Sequence, residues 1–167
     1  MKIYHEVSAE SVDSIFKNGL KRTSRGAKGD DDLIAKTDEF LDAHRPSQFR
    51  SAGLSRNNNI YGYIGSEDSL ISIKDGSSVA IHKKKAGGSG VLLELTVDPE
   101  RCWVSDLDAY DELKTLFEYE AAKEYLVTQA QKYWNLLIPL RAYKQDTISR
   151  PEVMITYDID PAAIQKV

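Results

Sequence analysis

Three places in this chain hold side chains whose types suit chemistry at a strand edge: His5 at the end of "MKIYH", the pair Tyr61 and Tyr63 within "NIYGYI", and Glu152 near the start of "RPEVMITY". A neutral imidazole both donates and accepts hydrogen bonds, which suits it to sugar hydroxyls. An aromatic face holds a flat ring by stacking and shuts out water. A fixed carboxylate stabilises positive charge that develops only in a transition state, as in glycoside cleavage. Each residue also has an ordinary explanation. A histidine after a strand is commonly packed or solvated, tyrosines are common in strands, and a glutamate that opens an apolar strand can be a solvated end.

The elements that must position these residues follow from patterning. Residues 2–5 read as a short strand, and Ser8 then stands as an N-cap for a helix with Val12, Ile15 and Phe16 on one face, ended by Asn18-Gly19. The strand end and the helix start are expected to face one cavity. Leu33, Thr37, Phe40 and Leu41 suit a short amphipathic helix before Pro46. Ile60, Tyr61, Tyr63 and Ile64 form a strand pattern, and "LISI" and "SVAI" offer two more around Asp75-Gly76. "KKKAGGSG" reads as a surface connection and "VLLELTV" as a strand stopped by Asp98-Pro99. A helical pattern fills the stretch from Tyr110 to Trp134, and a strand from about Glu152 to Tyr157 precedes a Pro-containing turn and a last short helical turn. Strands and helices without regular βαβ alternation indicate an α+β fold, taken as a single domain over residues 1–167.

Composition narrows the function classes. The 167 residues are 41% hydrophobic and 29% charged, the balance of a folded globular chain, and no apolar run approaches a membrane span. The first residues lack a signal-peptide plan, so the expected location is cytoplasmic. A lone cysteine, Cys102, excludes an intrachain disulfide and reads as a half-buried thiol beside Trp103, and no His/Cys cluster has metal-ligand spacing. The net charge of −4 does not advertise a nucleic-acid binder, although Lys21, Arg22 and Arg25, and also Lys83, Lys84 and Lys85, are local basic clusters.

Taken together, "IYHEVSAESVDSIFKNGL", "NIYGYI" and "RPEVMITYDIDPAAI" resemble the strand–His–helix opening, tyrosine strand and closing glutamate strand of the ADP-ribosyltransferase superfamily. The resemblance is to its His-Tyr-Glu branch, which includes diphtheria-type toxins, poly(ADP-ribose) polymerases and nucleic-acid-modifying toxins of toxin–antitoxin pairs. It implies an ADP-ribosyltransferase-like split β-sheet core flanked by helices, with a central NAD cleft. It further implies that NAD is the co-substrate and that no metal is needed. On that resemblance Glu152 is the catalytic carboxylate, His5 bonds a ribose hydroxyl, and Tyr61, with Tyr63 as the neighbouring alternative, forms the nicotinamide pocket. Ser55 and Arg56 in "LSRNNN" are expected at the NAD pyrophosphate, with a purely local loop role for Arg56 as the alternative.

The chain departs from the family pattern in informative ways. Glu6 replaces the glycine that usually follows the histidine and brings backbone close to the nicotinamide amide, and Asn59 replaces the glycine before Ile-Tyr. Arg150 stands two places before Glu152, where the arginine-modifying branch has an acidic or amide residue, which argues against arginine as acceptor. Arg150 either contacts a phosphate or makes a salt bridge. Arg22, Arg25, Arg45 and Arg50 offer a lid or a nucleic-acid contact in the polar stretch before the tyrosine strand, where His44 reads as a surface residue. The resemblance thus implies transfer of ADP-ribose to a macromolecule, RNA or DNA ahead of protein, by a toxin or phage-defence effector with an antitoxin partner. The alternatives are an NAD glycohydrolase and a catalytically silent domain that binds an ADP-ribose-like ligand or a protein.

Overall fold

The computed structural model describes residues 1–22, 32–64, 90–145 and 147–167. Among them run β1 (Lys2–Ser8), α1 (Val12–Asn18), α2 (Asp32–Ala43), α3 (Ser47–Ser51), β2 (Ile60–Tyr63), β3 (Gly90–Thr96), β4 (Cys102–Asp106), α4 (Leu107–Glu118), α5 (Lys123–Asn135), β5 (Ile138–Pro139), β6 (Pro151–Ile155) and β7 (Ile164–Lys166). The strands form one seven-stranded antiparallel sheet in the order β5-β4-β6-β2-β1-β3-β7, so the protein is α+β. The "LISI" and "SVAI" strands, the "KKKAGGSG" connection up to Ser89 and Arg25 lie outside the described residues.

Alternation along the strands divides the residues between two faces, because partners in an antiparallel ladder point to the same side. Ile3, Ile60, Leu93, Val104, Val153 and Ile155 pack on one face with Ile15 of α1 and with Leu140, Ile148 and Ile159. Tyr61, Trp103 and Met154 meet α2, α4 and α5 on the other through Leu41, Tyr110, Leu113, Tyr133 and Trp134. Trp134 is fully buried and donates its indole N–H to the Leu41 carbonyl at 2.8 Å, which ties α5 to α2.

Several elements differ from the sequence expectation. The helical stretch from Tyr110 to Trp134 is two helices, broken between Tyr119 and Ala122, where Glu120 takes a left-handed φ of 50°. The break lets α4 and α5 turn their apolar stripes toward the same core. The expected short helical turn is a 3-10 turn at Pro161–Ala163, and residues Ile164–Lys166 follow it and extend the sheet as β7. The Asn18-Gly19 stop is as expected: Gly19 has φ 76°, and an added Cβ would lie 2.2 Å from the Ile159 carbonyl oxygen. Only glycine fits there.

The sheet has a seam between β1 and β2. β1 runs in register with β3 from Lys2 to Ser8, whereas its described pairing with β2 is the one couple Tyr4 and Tyr63. Close to that couple Gly62 lies under β1, where a Cβ would meet Ile3 Cγ2 at 2.4 Å and the Tyr4 carbonyl oxygen at 3.0 Å. We predict that Gly62→Ala costs about 1–3 kcal/mol through this overpacking, read as a lower urea midpoint at unchanged m. An unchanged midpoint would mean that β1 and β2 are not in close approach.

Candidate active site: a guanidinium held between two carboxylates

Glu152 enters the structure on β6, on the same face as Met154, and is 5% exposed. A carboxylate so deeply placed requires a partner. It has one in Arg56, whose Nη1 donates to Glu152 Oε2 at 2.6 Å. Oε1 has no hydrogen-bond partner among the described residues. Nη1 also donates to the Tyr133 hydroxyl at 3.1 Å, and the guanidinium Nε donates to Asp38 Oδ1 at 3.2 Å. The Arg56 side chain is 1% exposed, so two carboxylates and three aromatic rings stand where water would be. Its charge centre lies 4.4 Å from the Tyr61 ring centre, 4.3 Å from that of Tyr110 and 5.8 Å from that of Tyr133. Burial works against the guanidinium charge, yet Tyr133, Tyr61, Glu152 and Asp38 hold its pKa well above the ordinary arginine value. Burial likewise raises the Tyr133 pKa, against the pull of Arg56.

The chain reaches this arrangement because α2 presents Asp38 and Asp42 one turn apart. Asp42 organises the loop: its Oδ1 accepts the Arg56 N–H at 2.8 Å, and its Oδ2 accepts the Ser55 hydroxyl at 2.6 Å and the Asn57 backbone and side-chain N–H groups at 3.3 and 3.2 Å. Asp38 takes the guanidinium and also accepts the Tyr110 hydroxyl at 3.0 Å. The Tyr61 hydroxyl closes the loop from β2, donating to the Arg56 carbonyl at 2.6 Å. Ser55 and Arg56 are therefore engaged within the protein, and Arg56 has no exposed edge to offer a pyrophosphate. The local role left open for Arg56 in the sequence proves to be a buried one.

The three sequence-remote pieces come together on adjacent strands. Tyr4 of β1, Tyr63 of β2, Glu152 of β6 and Ser105 of β4 stand in one cross-strand row. His5 belongs to the opposite face by alternation, with Ile3 and Val7, but reaches the seam: its Nδ1 lies 2.6 Å from the Tyr61 carbonyl oxygen. A carbonyl only accepts, so Nδ1 carries a proton and donates it. His5 and Glu152 thus flank β2 from the two faces of the sheet and do not share one face. Glu6 is half-buried, on the Tyr4 side of β1.

The basic candidates scatter. Arg150 pairs with Asp111 at 2.8 Å and Asp108 at 3.0 Å, and the Asp111 bond chiefly raises its pKa, so the salt-bridge alternative describes it. Arg22 pairs with Asp158 at 3.7 Å. Arg50 is exposed on α3. Arg45 donates to the Leu54 carbonyl, and His44 bonds the Phe40 carbonyl at 2.9 Å while resting against its ring. Cys102 is fully buried, and burial, reinforced by Asp98, pushes its pKa up to about 12. Among the described residues no His, Cys, Asp or Glu group could hold a metal ion, and no helix is long and apolar enough to cross a membrane. Sequence reasoning missed Asp38, Tyr110 and Tyr133. Its one available signal was the i, i+4 pair of aspartates in "TDEFLDA", set beside the apolar stripe of an amphipathic helix.

No family model matches the chain, and no curated protein compared with it is similar enough to count as a relative.

Two outcomes follow from this geometry. Arg56→Met should cost about 3–5 kcal/mol, because it leaves Asp38 and Glu152 buried without their cation, and adding Glu152→Gln should recover part of that loss. Independent, additive losses in urea melts would contradict a coupled cluster. Cys102 should resist alkylation at pH 8 in the native protein and react once the protein is unfolded. Fast native labelling would contradict its burial.

Proposed function

We propose that this protein transfers ADP-ribose from NAD to a macromolecular acceptor and releases nicotinamide. The observation that carries the reading is the convergence of His5, the Tyr61/Tyr63 strand and Glu152 on three adjacent strands, β1, β2 and β6, from opposite ends and the middle of the chain. The seam between β1 and β2 is in keeping with the split sheet of the ADP-ribosyltransferases that the sequence resembles.

The site suits the charge changes of the reaction. Breaking the bond between nicotinamide and ribose leaves an oxocarbenium-like sugar, while the departing pyridine keeps the bonding electrons and loses its positive charge. Two carboxylates around one guanidinium leave a formal negative charge in the Asp38–Arg56–Glu152 cluster. That charge favours a cationic centre more as the positive charge moves onto the sugar. Glu152 acts through Oε1, since Oε2 is engaged by Arg56. Tyr63, beside Glu152 in the ladder, offers a ring face for the flat leaving group. Tyr61 stays with Arg56, and His5 holds the Tyr61 carbonyl at the seam. The acceptor's nucleophilic atom then bonds to the sugar and releases its proton.

Nucleic acid is the first acceptor class, supported by exposed Arg50. Arg22 and Arg150 are held in ion pairs with acidic side chains, which keeps protein as the close second. A toxic or defence role, with an inhibitory partner protein, accompanies this reading. A silent ligand-binding domain is the second reading, favoured by the burial of Glu152 and by Glu6 in place of glycine.

The test is mass spectrometry after incubation with NAD and separate pools of RNA, single-stranded DNA and protein, with Glu152→Gln alongside. The expected result is an adduct of ADP-ribose on one pool, with nicotinamide release slowed about 100-fold or more in the variant. Release with no adduct would indicate hydrolysis. NAD binding with no release would indicate the silent domain, and full turnover by folded Glu152→Gln would overturn the assignment.

A further inference from the structure

We propose that Arg56 is a positioning residue: anchored by Asp38 and by the Asp42-bound loop, it fixes which oxygen of Glu152 faces the reacting sugar. The inference rests on the reading of Glu152 as the catalytic carboxylate. It replaces the expected pyrophosphate role with one directed at the protein's own carboxylate.

A glutamate side chain has three torsions, and its carboxylate can turn about the last of them. Here the 2.6 Å bond from Arg56 Nη1 takes one oxygen and leaves the other. The guanidinium cannot follow a turning carboxylate, because it is fixed on other sides. Asp38 holds its Nε at 3.2 Å, Tyr133 accepts from Nη1 at 3.1 Å, and the rings of Tyr61 and Tyr110 lie 4.4 and 4.3 Å from its charge centre. Its backbone is fixed as well, at the N–H by Asp42 and at the carbonyl by the Tyr61 hydroxyl. A planar, multiply bonded cation of this kind defines a direction, whereas a lysine ammonium supplies charge alone. The orientation of Glu152 therefore depends on α2, an element well separated from β6 in the sequence.

The experiment compares wild type, Arg56→Lys, Arg56→Met, Asp38→Asn and Glu152→Gln by steady-state nicotinamide release, together with crystal structures of wild type and Arg56→Lys. Arg56→Lys should lower kcat about 10-fold or more while KM for NAD stays within about threefold. Asp38→Asn should lower kcat in the same sense. Arg56→Met, where it folds, should approach Glu152→Gln. The crystal structures should show the Glu152 carboxylate turned away from its wild-type orientation in Arg56→Lys. A KM rise with unchanged kcat would overturn the inference in favour of a direct NAD contact. Wild-type kinetics in a folded but less stable Arg56→Lys would leave Arg56 a structural residue only, and also overturn it. If wild type neither binds NAD nor releases nicotinamide, it is the proposed function that has failed. The crystal structures then decide the inference alone: a turned carboxylate supports positioning, and an unmoved one overturns it.

Discussion

A positive charge sealed inside the protein sets the terms for the rest of this structure. Arg56 lies beneath the sheet, between Asp38 and Glu152, with tyrosine rings around it. Stripping an ion of water costs several kcal/mol, about the size of a small protein's whole stability, so every group near it must contribute or make way. α2 supplies one carboxylate, β6 the other, α4 and α5 supply Tyr110 and Tyr133, and β2 supplies Tyr61. Five elements thus meet at one guanidinium, on the side of the sheet that the helices cover.

The seam is the second constraint, and it works in the opposite sense. Along β1 and β3 the backbone groups satisfy one another, whereas between β1 and β2 the described ladder is one pair wide. The Tyr61 carbonyl, which a continuous ladder would give to a backbone N–H, takes the His5 imidazole. Gly62 lets β1 come close enough for this to happen. The bond to a sheet carbonyl fixes where the imidazole sits at the seam.

Much of this was legible in the sequence because it depends on local pattern. The strand with His5, the Asn18-Gly19 stop, the tyrosine strand and the glutamate strand all follow from alternation and turn residues, although β1 runs on past His5 to Ser8. The cluster around Arg56 was not legible. Asp38, Arg56, Tyr110, Tyr133 and Glu152 are spread over more than a hundred positions, and beyond the paired aspartates of α2 nothing in the local pattern marks them as one cluster. An arginine in "LSRNNN" reads as a polar loop residue. Only the fold reveals that Asp42 turns that loop inward. The division of the Tyr110–Trp134 stretch was also hidden, because the apolar period continues across the break while the backbone does not.

The composition of the cluster bears on why it exists. An apolar replacement of a whole buried ion pair or triad would often serve stability as well or better. Here the described residues place two carboxylates on one guanidinium, with Asp38 taking Nε and Glu152 taking Nη1. The second carboxylate adds a negative charge beyond the one that Arg56 neutralises. The two acids also differ in what they face. Asp38 accepts from both Tyr110 and Arg56 on Oδ1 and lies wholly inside, whereas Glu152 stands beside Tyr63 near the seam. Asp38 and Arg56 can therefore be understood as a neutral base on which Glu152 rests.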